Sequence, residues 1–195
     1  MKKLLIATKN QDKITEILDL LSDINMKLIS FQDIDFNENI KETGRSFQEN
    51  AVIKALTAGR KTKITTLAED SGLEIDALGG RPGIYSARYK AGSDMDRCMK
   101  ILCEMKNISK EKRTARFQTI VAIYEPLTEK VVTFGGMSEG YITDKPLGKN
   151  GFGYDPIFYN FALKKTNGQA KLAEKNKVSH RSEAILKAKQ FLIGL

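Results

Sequence analysis

The chain is predicted to adopt an α/β fold, with a long mixed central sheet flanked by helices and two lobes around a cleft. Three observations lead there: short apolar strands alternate with helical periodicity in the first third, the middle is strand-rich, and helices stand at both ends. No repeat, low-complexity tract or Pro/Ser linker interrupts the pattern, so one domain over residues 1–195 is the economical organisation.

Lys3 to Ala7 reads as a short strand. Ile14, Ile17, Leu18 and Leu21 follow at helical spacing, which starts a helix close to Asn10 and Gln11. Met26 to Phe31 is a second strand. Ser46-Phe47-Gln48-Glu49 has the S-x-x-E form of a capping box, and Ala51, Ile53, Ala55 and Leu56 behind it carry a helix to about Arg60. Ile64 to Glu69 returns as a strand that Asp70 ends at a Ser71-Gly72 turn, and Leu73 to Leu78 continues in extended form. Gly79-Gly80-Arg81-Pro82-Gly83 forces a loop. Met95, Cys98, Met99, Leu102 and Met105 mark the apolar face of another helix. Thr114 to Tyr124 is a long strand, Lys130 to Phe134 and Ser138 to Thr143 extend an antiparallel meander, and Asp155 to Tyr159 adds one more strand. Ala184, Ile185, Ala188, Phe191 and Leu192 face inward from a C-terminal helix.

With 195 residues, 41% of them hydrophobic, the chain can bury a sizeable core. Its net charge of +8 favours an anionic partner: nucleic acid, a membrane surface or a phosphorylated small molecule. Charge alone does not choose among them. Lys2 and Lys3 precede an apolar run too short for a signal-peptide core, and no stretch approaches membrane-spanning length. Cys98 and Cys103 lie five apart in a helical segment, so they point to separate faces and read as reduced core thiols of a cytoplasmic protein.

Short polar clusters sit at the ends of the apolar elements, where α/β proteins place their sites. The stretch Thr8-Lys9-Asn10-Gln11-Asp12-Lys13 opens a helix after a strand. Unpaired N–H groups and the helix dipole attract an anion there, and Lys13 one turn on is able to point back at it. Glycines are absent, so this is not a P-loop. Glu42 and Asp70, from separate segments, would together satisfy Mg²⁺, which keeps water and takes few protein ligands. Glu69 is adjacent, but neighbours in an extended chain point to opposite faces, so Asp70 is the preferred ligand. Phe152 at the mouth of a glycine-flanked loop offers a stacking surface, and His180 and Arg181 are hydrogen-bond donors.

In this order the motifs resemble the Ham1-like inosine triphosphate pyrophosphatase family, also called XTP/dITP diphosphatases. The resemblance rests on Thr8-Lys9-Asn10-x-x-Lys13, on Glu42-Thr43-Gly44-x-Ser46-Phe47-x-Glu49-Asn50-Ala51 with Lys54, on Ala68-Glu69-Asp70-Ser71-Gly72-Leu73 and on Gly79-Gly80-x-Pro82-Gly83-Ile84-Tyr85-Ser86-Ala87-Arg88-Tyr89. It closes with Gly151-Phe152-Gly153-Tyr154-Asp155-Pro156-Ile157-Phe158 and Ser179-His180-Arg181. Glu69 stands where some members have Asp, and Asn160 to Ala173 matches least.

The resemblance implies a cleft that holds a nucleotide and Mg²⁺-dependent hydrolysis of deaminated purine triphosphates, such as ITP, dITP and XTP, to the monophosphate and pyrophosphate. It implies that Thr8 to Lys13 form the triphosphate loop, that Asp70 is base and metal ligand, and that Glu42 is the second metal carboxylate. Ser71, Phe152, Gly153, Tyr154, Asp155, Lys175, His180 and Arg181 become nucleotide-binding positions, with Lys175 placed mainly by its distance from His180. Lys13, Lys54 and Lys175 are suited to neutralise the leaving pyrophosphate. A homodimer using the long central strands and the Gly80 to Tyr89 region, and a role in cleansing the nucleotide pool, are further implications. Two other readings stand beside it. A nucleic-acid-binding module would explain the charge, but Lys and Arg are dispersed and no basic reading helix is present, so no stable nucleic-acid partner is expected. A Maf-like nucleotide pyrophosphatase shares the chemistry, but its motifs are not seen. No membrane partner is expected.

Overall fold

In the computed structural model, which describes residues 2–194, the strands are β1 (Lys3–Ile6), β2 (Lys27–Ser30), β3 (Thr65–Ile75), β4 (Thr114–Glu125), β5 (Lys130–Ile142), β6 (Phe158–Asn160) and β7 (Lys165–Thr166). They form one seven-stranded sheet in the order β2-β1-β3-β4-β5-β6-β7. The helices are α1 (Gln11–Leu20), α2 (Phe47–Thr62), α3 (Asp94–Glu104), α4 (Leu172–Lys175) and α5 (His180–Ile193). The sheet is mixed, as its sequence predicts. Leu4 pairs with Leu28 of β2 and Thr65 of β3, both in parallel, while β5, β6 and β7 pair antiparallel. A strand between two parallel neighbours is covered on both faces, which is why Leu4-Leu5-Ile6 is apolar throughout and wholly buried.

The chain divides into two compact units, one of Met1–Asp70, Thr119–Gly136 and Ser182–Leu195, the other of Ser71–Gln118 and Met137–Arg181. The first unit holds two apolar clusters. Leu4, Ile6 and Leu67 pack with Ile14, Ile17 and Leu21 from α1 and its end, and with Ala184, Ile185 and Ala188 of α5. Leu5, Ala68, Ala122 and Tyr124 pack with Ala51, Ala55 and Ala58 of α2. Alternation of Leu4, Leu5 and Ile6 between these clusters assigns α1 and α5 to one face of β1 and α2 to the other. α2 lies so close to β4 that a Cβ on Gly59 would stand 2.1 Å from Tyr124 Cδ1. In the second unit Leu73, Ile75, Cys98, Ile101, Met105, Phe117, Ile142, Ile157 and Phe158 form the core.

Several expectations need correction. β3 runs unbroken from Thr65 to Ile75, so Asp70 lies inside a strand and Ser71-Gly72 is no turn. Pairing with neighbouring strands and burial of Leu73 and Ile75 outweigh a local turn preference. For the same reason Lys130 to Phe134 and Ser138 to Thr143 are parts of one strand, β5, which passes through Gly135 and Gly136. β6 begins at Phe158 rather than Asp155, because the Ile157 and Phe158 N–H groups turn back to the Tyr154 carbonyl. On α3 and at its C-terminal end the inward stripe is Cys98, Ile101 and Met105, while Met95 and Met99 are exposed. Cys103 is likewise exposed; only Cys98 is a core thiol, and both are free. Leu18 is exposed on α1. Ser46 caps α2 by accepting the Glu49 N–H at 3.1 Å, but the Glu49 carboxylate takes the Arg45 N–H, so the capping box is half made. The helix continues two residues past Arg60 and stops at Lys63, in the left-handed conformation at φ 57°.

Candidate active site

The turn from β1 into α1 is shaped by its own side chains. Thr8 Oγ1 accepts the Asn10 N–H at 3.2 Å, and Asn10 Oδ1 caps α1 by accepting the Lys13 N–H at 3.0 Å. Lys9, Asn10, Gln11 and Asp12 are exposed, so the start of the helix faces solvent with its N–H groups and partial positive charge. Lys13 is anchored: its Nζ lies 2.8 Å from Glu69 Oε1, and the Glu69 side chain is fully buried. A buried carboxylate costs too much to leave uncompensated, which accounts for the pair.

Asp70, next along β3, has different partners, as alternation requires. Lys54 Nζ, from α2, donates to Asp70 Oδ1 at 3.1 Å and to Glu42 Oε1 at 2.7 Å. The Asn50 amide donates to Asp70 Oδ2 at 3.1 Å. Two carboxylates therefore converge on one positive charge at a site that water reaches poorly, with Asp70 only 7% exposed. Burial pushes the Asp70 carboxyl up from the ordinary aspartate value; Lys54 pulls it down, Glu42 pushes it further up, and the net shift is upward. For Lys54 burial works against the charge, but Asp70 and Glu42 outweigh it, so its pKa is raised and it stays protonated.

Among the described residues no group of three or more His, Cys, Asp or Glu side chains is arranged to hold a metal ion. Mg²⁺ does not require one. It is held by one or two carboxylates with waters and substrate oxygens, and the hard oxygens of Glu42 and Asp70, already directed at one cation, fit it.

In the second unit the Gly151–Asp155 loop is fastened from below. Asp155 is buried; its Oδ2 accepts the Phe152 N–H at 3.0 Å and the Lys175 ammonium at 2.6 Å, and its Oδ1 accepts the Asn167 amide at 3.0 Å. A Cβ on Gly151 would fall 2.1 Å from Asp155 Oδ2, and the residue sits at φ 71°, so only glycine serves there. Gly153 donates its N–H to Asp94 and accepts from the Cys98 thiol, both on α3. Tyr154 is core, its hydroxyl donating to the Ser86 carbonyl at 2.8 Å. Phe152 is half-buried, with Lys175 Nζ 4.9 Å and Arg181 Cζ 5.5 Å from its ring centre. Arg181 is 1% exposed and reaches Ser71 Oγ at 3.3 Å; His180 stacks on Phe117 at 4.8 Å.

The structure thus brings together Glu42, Lys54 and Asp70 in one cluster, Lys13 with Glu69 in another contact, and Ser71, Phe152, Asp155, Lys175 and Arg181 in a third. Asn50, Asn167 and Asp94 have roles here that no local pattern in the sequence assigns. Asn50 had two signals: it lies within the Glu42–Ala51 motif, and it stands four residues before Lys54 on the same helix face.

A mixed α/β fold with clustered carboxylates and lysines beside an open helix start is an arrangement suited to phosphate chemistry. The sequence profile of the Ham1 family matches residues 4–191. A dITP/XTP pyrophosphatase from Bacillus subtilis is 45% identical over 195 residues, 98% of each chain, and one from Bacillus licheniformis is 44% identical over 194 residues, again 98% of each. Among solved structures, a HAM1 protein from Coxiella burnetii superposes with a TM-score of 0.90 at 37% identity over all of both chains. The Staphylococcus aureus Ham1 protein gives 0.88 at 38% identity over 99% of each. The chain belongs to the Ham1 family.

Proposed function

We propose that this protein is a nucleoside-triphosphate diphosphatase that hydrolyses deaminated purine triphosphates, ITP, dITP and XTP, to the monophosphate and pyrophosphate in the presence of Mg²⁺. The observation that carries the reading is the convergence of Glu42 and Asp70 on Lys54, in a chain whose relatives are named for this activity. Water attacks the α-phosphorus and gives its proton to Asp70; the new P–O bond forms as the bond from the α-phosphorus to the bridging oxygen breaks and pyrophosphate leaves. Bound to Glu42 and Asp70, Mg²⁺ would supply charge neutralisation for the phosphates. Lys54 holds both carboxylates in place, and the exposed N–H groups at the start of α1, with Thr8 to Lys13, take the phosphate chain.

For the base, Phe152 provides the stacking face, while His180 and Arg181 donate to the 6-oxo group, which adenine lacks. Asp155 and Tyr154 act through the loop, whose shape they fix, and Asp155 also seats Lys175. A homodimer through the long central strands and the Gly80 to Tyr89 region belongs to the same reading; Tyr85 in that region is exposed. Among the described residues no helix is long and apolar enough to cross a membrane, and two free thiols support a cytoplasmic role in cleansing the nucleotide pool. A pyrophosphate-release assay over ITP, dITP, XTP, GTP and ATP, with and without Mg²⁺, tests the reading. Release from ITP, dITP and XTP well above ATP is expected; equal rates, or none, would overturn it.

A further inference from the structure

Asn50 is wholly buried one turn before Lys54 on α2, and both ends of its amide are used. Its Oδ1 accepts the Gly44 N–H at 2.9 Å while its Nδ2 donates to Asp70 Oδ2 at 3.1 Å. Lys54, four residues on, takes the other oxygen of Asp70 and the carboxylate of Glu42. Each oxygen of Asp70 therefore has its own donor from α2, and each donor also reaches the segment that carries Glu42. That segment fits tightly: a Cβ on Gly44 would lie 2.7 Å from Asn50 Oδ1 and 2.6 Å from Glu49 Cβ.

We propose that Asn50 is a positioning residue, which fixes the rotation of the Asp70 carboxylate and the spacing between Asp70 and the Glu42 segment. The terminal torsion of an aspartate is broad, so a single donor leaves the carboxylate free to swing about its axis. Two donors from one rigid helix do not. The amide also satisfies the Gly44 N–H, so the backbone next to Glu42 and the base share one anchor. Groups that orient the holders of a metal typically affect metal affinity or rate by about 10- to 100-fold, and small misplacements of a reacting group cost about as much.

The proposal rests on the pyrophosphohydrolase reading, and the experiment separates the two. In the full-length protein Asn50→Ala removes both hydrogen bonds. Asn50→Asp keeps the size and the acceptor for Gly44, but faces Asp70 with a carboxylate in place of a donor. Mg²⁺ affinity is measured by calorimetry without nucleotide, kcat and KM for dITP are measured at saturating Mg²⁺, and unfolding is followed in parallel. Expected are a fall in kcat of about 10- to 100-fold in both variants with KM nearly unchanged, and a Mg²⁺ affinity lower by about 10-fold in Asn50→Ala. If Asn50 only anchored the Gly44 backbone, Asn50→Ala would lower stability while keeping wild-type kcat and Mg²⁺ affinity, and that result overturns the proposal. If wild type proves inactive on dITP, the functional reading fails by itself. Calorimetry still decides on Asn50: equal Mg²⁺ affinity in wild type and Asn50→Ala refutes its positioning role.

Discussion

Asp70→Asn separates catalysis from stability at one atom pair. The substitution keeps the shape but leaves one acceptor oxygen where two donors, Lys54 and Asn50, now find two. Lys54 keeps Glu42 as an acceptor, so the cost is that of an Asn50 amide N–H left buried without one, about 1–3 kcal/mol. Against this, the variant removes a charge that burial disfavours, as the raised pKa of Asp70 records. The two effects nearly offset, so the unfolding temperature is expected within about 4 °C of wild type. Hydrolysis of dITP is expected to fall by about 10²- to 10⁴-fold, since the base and a charge that holds Mg²⁺ are both gone. The pH dependence follows from the direction of the shift. A carboxyl whose folded pKa lies above its unfolded one contributes stability that is fully present below the unfolded pKa and lost as pH rises through the folded pKa. In metal-free buffer, wild type should therefore lose stability relative to Asp70→Asn from acid to neutral pH. Pyrophosphate release and urea unfolding at several pH values measure both. A folded variant with more than about a tenth of wild-type turnover refutes the assignment.

Lys54→Met leaves Glu42 and Asp70 facing each other without their shared cation; a loss of about 1–3 kcal/mol is expected, and Mg²⁺ should raise the unfolding temperature more than it does in wild type. Phe152→Leu removes the stacking face, so KM for ITP should rise by about 5- to 150-fold with a smaller change in kcat, as steady-state kinetics will report. Arg181 is deeply buried, so Arg181→Lys, which keeps the charge but loses the planar fork, is the gentler test. The ITP-to-ATP ratio of kcat/KM should shrink by about 5- to 150-fold, and an unchanged ratio would remove base recognition from this residue. Gly59→Ala should destabilise by about 1–3 kcal/mol in urea unfolding, because Tyr124 occupies the space the methyl needs.

Local signals carried much of the fold. The capping asparagine before α1, Ser46 at the head of α2 and the apolar run of β1 act over a few residues, so they are visible in sequence and survive in the structure. The misjudged places are those where a local preference met a tertiary one. Ser71-Gly72 and Gly135-Gly136 have turn composition, yet both stay extended because neighbouring strands hold them. Met95 and Met99 have helical spacing like Cys98 and Met105, and only the packing of α3 chose which stripe went inward.

The candidate site divides in the same way. Residue types, order and the family resemblance single out Glu42, Lys54, Asp70, Phe152 and Arg181 as candidates, and alternation along an extended chain is enough to send Glu69 and Asp70 to different partners. What sequence by itself determined about this protein is thus its periodicity, its capped helices and the chemical inventory of its polar clusters, since these depend on neighbours in the chain. Only the tertiary structure decided that Lys13 is tied to Glu69, that Asp155 lies under its loop to seat Lys175, and that Asn50 joins Gly44 to Asp70. Those contacts join residues up to 56 positions apart, and their partners are fixed by which helix face packs on which strand, a choice made by the whole core and by no short stretch of it.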